Sequence, residues 1–356
     1  MIAIAVSLPV MLGSINNDIY LDWLKGPERE WEGIITVWHI VSWKNGGSGT
    51  AWLSKRAKTF EKKYNGAFIE ILAMSPEEAQ LKLDNGERPD IYSFPLGWSD
   101  TLLLEKIDID LPPLLPSLSD VGTSRGDTYA VPYMVGGYAL IINESIARER
   151  GVATPDALSG EWLATACQKL PYKKGKTQHA ALGCDSPLAL LELGLPGAQR
   201  TTLEAFTSGS CGLGVGDMGT LRTLELKTSA GNGFSYEAYP LTGFTDQVQL
   251  IGVASGSDEA HVKYSKLFFQ LLLEENAQRD LESLNVCAAV TLSEPIYKKN
   301  ELMEAFEVNL RNALIPNAFA YTNEKAQLTQ LAEVTLDGGG NNTELILTAL
   351  KRLSAS

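Results

Sequence analysis

Ile34-Ile35-Thr36-Val37-Trp38, Ala67-Phe68-Ile69-Glu70-Ile71-Leu72 and Pro89-Asp90-Ile91-Tyr92-Ser93-Phe94 are three apolar runs rich in β-branched and aromatic residues. Each reads as a buried strand. After the first comes the Gly/Ser-rich Lys44-Asn45-Gly46-Gly47-Ser48-Gly49, then a stretch from Thr50 to Tyr64 with Trp52, Leu53, Ala57 and Phe60 on one helical face. Asn65-Gly66 turns the chain into the second run. Pro76 then opens a second helix, at a first-turn position where its missing N–H removes no helical bond, and Asn85-Gly86 closes it. The order β-α-β-α-β with short connections predicts an α/β fold built on a parallel, helix-covered sheet.

Downstream, Tyr129–Tyr133, Tyr138–Asn143 and Val248–Ala254 read as strands. Helices are expected from Glu144 to Gly151, Pro155 to Leu170, His261 to Leu273, and over 301–314, 324–334 and 343–353. Residues 171–186 read as a loop carrying Lys173-Lys174-Gly175-Lys176, a solvated basic cluster. No internal repeat is visible.

The 356 residues are enough for two domains, and 44% hydrophobic residues can fill their cores. With 30 Lys+Arg against 43 Asp+Glu the net charge is −13, which argues against general electrostatic binding to nucleic acid or anionic lipid. Three His and four Cys, without CxxC or zinc spacing, give little material for a metal centre, and no cofactor is expected. Cys287 reads as a buried apolar residue; Cys184 and Cys211 are a pair that an exported chain could oxidise. The uncharged Ile2–Ile15 run is too short for a membrane span and suits a signal core or anchor, with residues 16–32 as a polar linker. An extracytoplasmic, tethered protein is the expectation.

Gly214-Val215-Gly216-Asp217-Met218-Gly219 has the GxGxxG pattern of dinucleotide sites. The break at Ser229–Gly233 leaves no strand to complete the unit, so close backbone packing is the better reading. His39 has no evident nucleophile or orienting acid, which favours a binding role over catalysis. Asp90 and Asp217 are a possible carboxylate pair, but nothing in the sequence brings them together, and a structural turn or strand-end acid is the better reading for each. Trp38, Trp43, Phe94, Trp98 and Tyr133 all fall at or just after strand C-termini, the edge where open α/β sheets bind ligands. Aromatic faces suit the apolar C–H face of a sugar ring.

These segments together resemble the family 1 extracellular solute-binding proteins of bacterial ABC importers. Phe60-Glu61-Lys62-Lys63-Tyr64-Asn65-Gly66 is similar to the family's FEKxYPG turn, and Gly86-Glu87-Arg88-Pro89-Asp90-Ile91 to its GxxPDV signature. Tyr129-Ala130-Val131-Pro132-Tyr133 followed by Leu140–Glu144 resembles YAVPY…LYYNKD, and Phe206–Leu213 resembles FxxGKAAM. The likeness spans about residues 33 to 300. The family's TWDEL helix is displaced to Gly160-Glu161-Trp162-Leu163, and the second lobe between Lys169 and Leu203 is short.

The resemblance implies a type 2 periplasmic-binding-protein fold of two α/β lobes joined by crossing hinge strands. Lobe 1 would be 33–137 plus 247–292, and lobe 2 would be 138–246 plus 293–356 with the C-terminal helices. It implies a monomer that captures a small solute, a carbohydrate on the aromatic argument, and hands it to a permease. Trp43, Trp98 and Tyr133 would stack on the ligand, with Trp38 and Phe94 nearby; His39, Asp217 and Tyr239 would hydrogen-bond it. The alternatives are a ligand sensor for a signalling partner, or a small-molecule enzyme using His39 or the 214–219 loop.

Overall fold

The computed structural model describes residues 31–41, 43, 49–98 and 103–354. The signal or anchor segment and nearly all of the linker lie outside these residues. Trp31, at the end of the expected linker, already belongs to the body: its ring stacks on Tyr264 at 4.7 Å and meets His261 edge-on.

The three runs form β1 (Gly33–Ile40), β2 (Ala67–Met74) and β3 (Ile91–Pro95), with β1 central and parallel to both neighbours. Asp90 locks the β1–β3 register, its Oδ2 accepting from the Thr36 N–H (2.7 Å) and hydroxyl (2.8 Å). Helix α1 (Gly49–Lys63) returns the chain across one face, burying Trp52, Leu53, Ala57 and Phe60 as their spacing predicts. Helix α2 (Pro76–Asp84) starts in a capping box in which Ser75 and Glu78 satisfy each other's backbone donors. A small hairpin, β4 (Thr123–Ser124) with β5 (Asp127–Thr128), then leads into the strand from which the chain leaves this sheet.

That strand is β6 (Val131–Val135). Gly136-Gly137 carries the chain out of it into β7 (Tyr138–Asn143), which belongs to a second sheet. Helices α3 (Glu144–Glu149) and α4 (Gly160–Lys169) follow. Residues 171–186 are not a loop as read from the sequence. They make a hairpin, β8 (Tyr172–Lys174) with β9 (Thr177–His179), and the buried strand β10 (Leu182–Cys184). Three-residue strands carry too little periodicity to be seen in a sequence. β11 (Arg200–Thr201), helix α5 (Leu203–Thr207), β12 (Leu213–Asp217), helix α6 (Met218–Ser229) and β13 (Tyr236–Pro240) complete this part, and the sheet runs β11-β10-β12-β7-β13.

The chain crosses back through 241–247 into β14 (Val248–Val253), antiparallel to both β3 and β6. Helices α7 (Glu259–Leu273) and α8 (Glu275–Arg279) and the edge strand β15 (Cys287–Ala288) finish the first sheet, in the order β15-β6-β14-β3-β1-β2. The two crossings are bonded to each other: Gly136 N–H donates to Gln247 O at 2.7 Å, and the Thr245 hydroxyl to Gly136 O at 2.8 Å. Two α/β sheets joined by crossing strands are the expected architecture, but both sheets are mixed, not parallel as read from the first β-α-β-α-β run, because strands returning across the hinge pair antiparallel.

The last helices are α9 (Glu301–Leu310), α10 (Ala318–Leu336) and α11 (Thr343–Ser354). Asn317 caps α10, so it starts earlier than its apolar periodicity suggested. Arg200 pairs with Glu333 and Asp337, fixing the end of α10 to the second sheet's edge. Its start is tied to the first part, through Asn317 Nδ2 to Asp120 O and Thr123 O. All four cysteines are free and buried, so the Cys184–Cys211 pairing is not formed.

Candidate functional site

A cleft of about 1130 Å³ opens where the two sheets meet at the crossings. That is enough room for a small oligosaccharide. One wall carries His39, Val41, Trp43 and Thr50; the opposite wall carries Ser186, Thr202, Asp217, Thr220 and Thr223; Asp246 and Gln247 of the second crossing and Lys325 of α10 close it.

Asp217 ends β12 and is the N-cap of α6. Its Oδ1 accepts from the Thr220 N–H at 2.6 Å and the Thr220 hydroxyl at 2.8 Å. Burial holds its carboxyl above the usual carboxylate range, with the Thr220 and Gln247 hydrogen bonds opposing. Thr220, Thr223 and Lys227 recur at helical spacing along the same face of α6, so one helix supplies a polar stripe to the cleft. At the hinge, Asp246 accepts from the Tyr138 hydroxyl (2.7 Å) and the Tyr321 hydroxyl (3.3 Å) and pairs with Lys325 at 3.5 Å.

His39 lies 3% exposed at the cleft floor. Its Nδ1 meets Ser93 Oγ at 2.9 Å, and that oxygen also meets the Tyr133 hydroxyl (2.8 Å) and accepts from Gln249 Nε2 (3.1 Å). Desolvation lowers the imidazole pKa to about 4, so His39 is neutral at physiological pH. It offers a hydrogen bond without charge.

Of the eight residues singled out in the sequence, the structure brings His39, Trp43 and Asp217 together around the cleft. The other five are placed elsewhere. Trp38 is buried, edge-on to Tyr92 with Lys82 over its ring. Phe94 and Tyr133 are fully buried, and Tyr133 stacks on Trp52. Trp98 is half-buried against Tyr92 and Phe94. Tyr239 donates to Pro155 O at 2.6 Å, outside the cleft lining. The reason is common to several of them: β3 and β6 are buried on both faces, so a position near a strand end does not imply an outward side chain.

Sequence reasoning missed Tyr138, Asp246, Gln247 and Lys325. The signal available for the first was its place directly after Gly136-Gly137; the others come from a short connection and a distant helix. The GxGxxG lookalike is explained by packing. A Cβ on Gly214 would lie 2.3 Å from the Phe206 ring, and one on Gly216 would lie 2.6 Å from Thr220. The strand after α6, β13, runs parallel to β12 but is separated from it by the antiparallel β7, so the adjacent parallel strands of a dinucleotide-binding βαβ unit are not formed there. Among the described residues no group of His, Cys, Asp or Glu could hold a metal ion, and no helix is long and apolar enough to cross a membrane.

No protein-family model and no curated protein sequence matches the chain. Solved structures do. The GacH receptor of Streptomyces glaucescens, solved unliganded and with acarbose, superposes with a TM-score of 0.65 at 19% identity, covering 91% of this chain and 98% of that one. A cyclic α-maltosyl-1,6-maltose binding protein from Arthrobacter globiformis gives 0.64 at 15% identity, over 91% and 98% of the two chains. An ABC substrate-binding protein from Listeria monocytogenes in complex with cycloalternan gives 0.63 at 13% identity, over the same shares. Matched over 91% of its length and 98% of each of these neighbours, this chain has the two-lobed fold of the ABC-transporter substrate-binding proteins.

Proposed function

We propose that the chain is an extracytoplasmic solute-binding protein. It captures a small carbohydrate between its lobes and delivers it to the permease of an ABC importer. On this reading the protein is a monomer held at the membrane by its N-terminal segment, and its work is recognition rather than catalysis. The observation that carries the reading is the cleft at the two crossings, with the half-buried Trp43 on one wall and the hydroxyls of Ser186, Thr202, Thr220 and Thr223 on the other. An indole face covers the apolar side of a sugar ring while hydroxyls and carboxylates take up its edge. The acarbose and cycloalternan complexes of two structural neighbours support the same reading.

The lobes, 33–137 with 247–292 and 138–246 with 293–356, would close on the solute by bending at Gly136-Gly137 and 241–247. The solute biases the open–closed equilibrium because only the closed form contacts it from both walls. The test is thermal unfolding against a panel of mono- and oligosaccharides, with amino acids and polyamines as controls. A sugar at a hundred times its dissociation constant stabilises by about 2.7 kcal/mol, a visible shift. Trp43→Ala should cut that stabilisation to about half or less. A folded protein that no sugar stabilises would refute the reading.

A further inference from the structure

The described lining of the cleft is short of cations. Four carboxylates line it among the described residues, Asp185, Glu204, Asp217 and Asp246, against two ammonium groups, Lys227 and Lys325. Both lysines are already engaged: Lys227 donates to Thr207 O at 2.9 Å, and Lys325 pairs with Asp246 and reaches Leu96 O. Asp217 has no ion-pair partner among the described residues. Its Oδ1 is filled by Thr220, but its Oδ2 receives a single long bond, 3.3 Å from Gln247 Nε2.

Gln247 gives an independent sign. Its side chain is 3% exposed in the cleft wall, and its Oε1 has no hydrogen-bond partner. Turning the amide over would set that oxygen against the Asp217 carboxylate, so the orientation is fixed by electrostatics. A buried acceptor left without a partner is costly. Asp217 Oδ2 and, buried beside Gly136, Gln247 Oε1 are therefore two under-used acceptors on linked side chains at the hinge, and the described residues of the cleft carry a negative excess.

Building on the solute-binding reading, we propose that the solute is an amine-bearing saccharide, whose protonated amine docks on Asp217 Oδ2 and Gln247 Oε1. A neutral hydroxyl could donate to the same oxygens, but it leaves the negative excess uncompensated. An anionic sugar is opposed by it. A cation on a desolvated carboxylate makes the stronger, charge-assisted kind of hydrogen bond. The arriving cation offsets the desolvation that raises the Asp217 pKa.

The experiment is calorimetric titration of the full chain with the fully deacetylated chitosan trisaccharide, its fully acetylated counterpart, and maltotriose. The deacetylated sugar should bind about tenfold or more tightly than the acetylated one. Asp217→Asn keeps a good helix cap while removing the charge, and it should erase that preference. Gln247→Met keeps the side-chain length and should weaken the aminated sugar several-fold. If maltotriose or the acetylated sugar binds as well as the deacetylated one, the amine assignment is overturned and the solute-binding reading stands. If the preference survives in Asp217→Asn, the docking site is wrong. If none of the three binds and putrescine does, both the amine-sugar assignment and the carbohydrate reading fall.

Discussion

His39 makes the fold pH-sensitive in a way that can be calculated. The group is buried and its pKa is lowered from 6.5 to about 4 by desolvation. The unfolded chain takes up a proton as pH falls through 6.5, while the folded chain refuses it until about 4. Stability is therefore fully present above pH 6.5 and is lost as pH falls toward 4. Going from about pH 7.5 to about pH 5, the linkage amounts to about 2 kcal/mol, and to about 3 kcal/mol at the acid limit, at 1.36 kcal/mol per unit. The perturbation is His39→Gln, which keeps a hydrogen-bonding group beside Ser93 and does not titrate. Urea unfolding of both proteins across this range cancels the carboxylates they share. Wild type should lose about 2 kcal/mol more than the variant over the interval. With only three histidines in the chain, the His39 imidazole can also be followed directly by proton NMR. An ordinary titration near 6.5, or a wild-type–variant difference flat with pH, would falsify the desolvation argument.

Other outcomes follow from the same packing. Trp43→Ala should weaken sugar binding about tenfold or more, whereas Trp98→Ala should leave it unchanged, since the Trp98 ring rests on Tyr92 and Phe94; isothermal titration separates the two. Gly136→Ala puts a methyl 2.8 Å from Gln247 Oε1 and 3.3 Å from Trp43, so it should reduce solute affinity more than it lowers the melting temperature; equal affinity would show that the crossing has slack. Gly137→Ala meets the Phe306 ring at 2.8 Å and should lower stability by about 1–3 kcal/mol in denaturant titration. The native protein should expose no thiol to a disulfide reagent, since burial pushes Cys167, Cys184 and Cys211 up to about 12; unfolding should release four, and a count of two would restore the Cys184–Cys211 bond.

Local signals carried the fold. Ile34–Trp38, Ala67–Leu72 and Pro89–Phe94 are strands because their side chains need burial and suit a pleated sheet. Pro76, Asn65-Gly66 and Asn85-Gly86 mark boundaries because their own backbone preferences act within a few residues. The two-lobed arrangement was legible through the order of such segments, which is a property of the chain alone.

The cleft was only partly legible, because it is built from residues far apart in sequence and from a choice of face. Trp38 and His39 are neighbours on β1, yet alternation sends one into a core and the other to the cleft floor. In β3 and β6 both faces are buried, so polarity gives no clue to which side chain meets solvent, and Phe94 and Tyr133 were misplaced. Asp217 reads only as a turn or strand-end acid in the sequence, and its cap on Thr220 is seen in the structure. Its contact with Gln247, thirty residues away, depends on how the second crossing folds back across the first. The sequence by itself determined the strands, helices and turns, since each is settled by forces acting over a few residues. Only the tertiary structure decided which polar atoms stand unpaired between the lobes, since desolvation and charge balance belong to the assembled cleft and to no single segment.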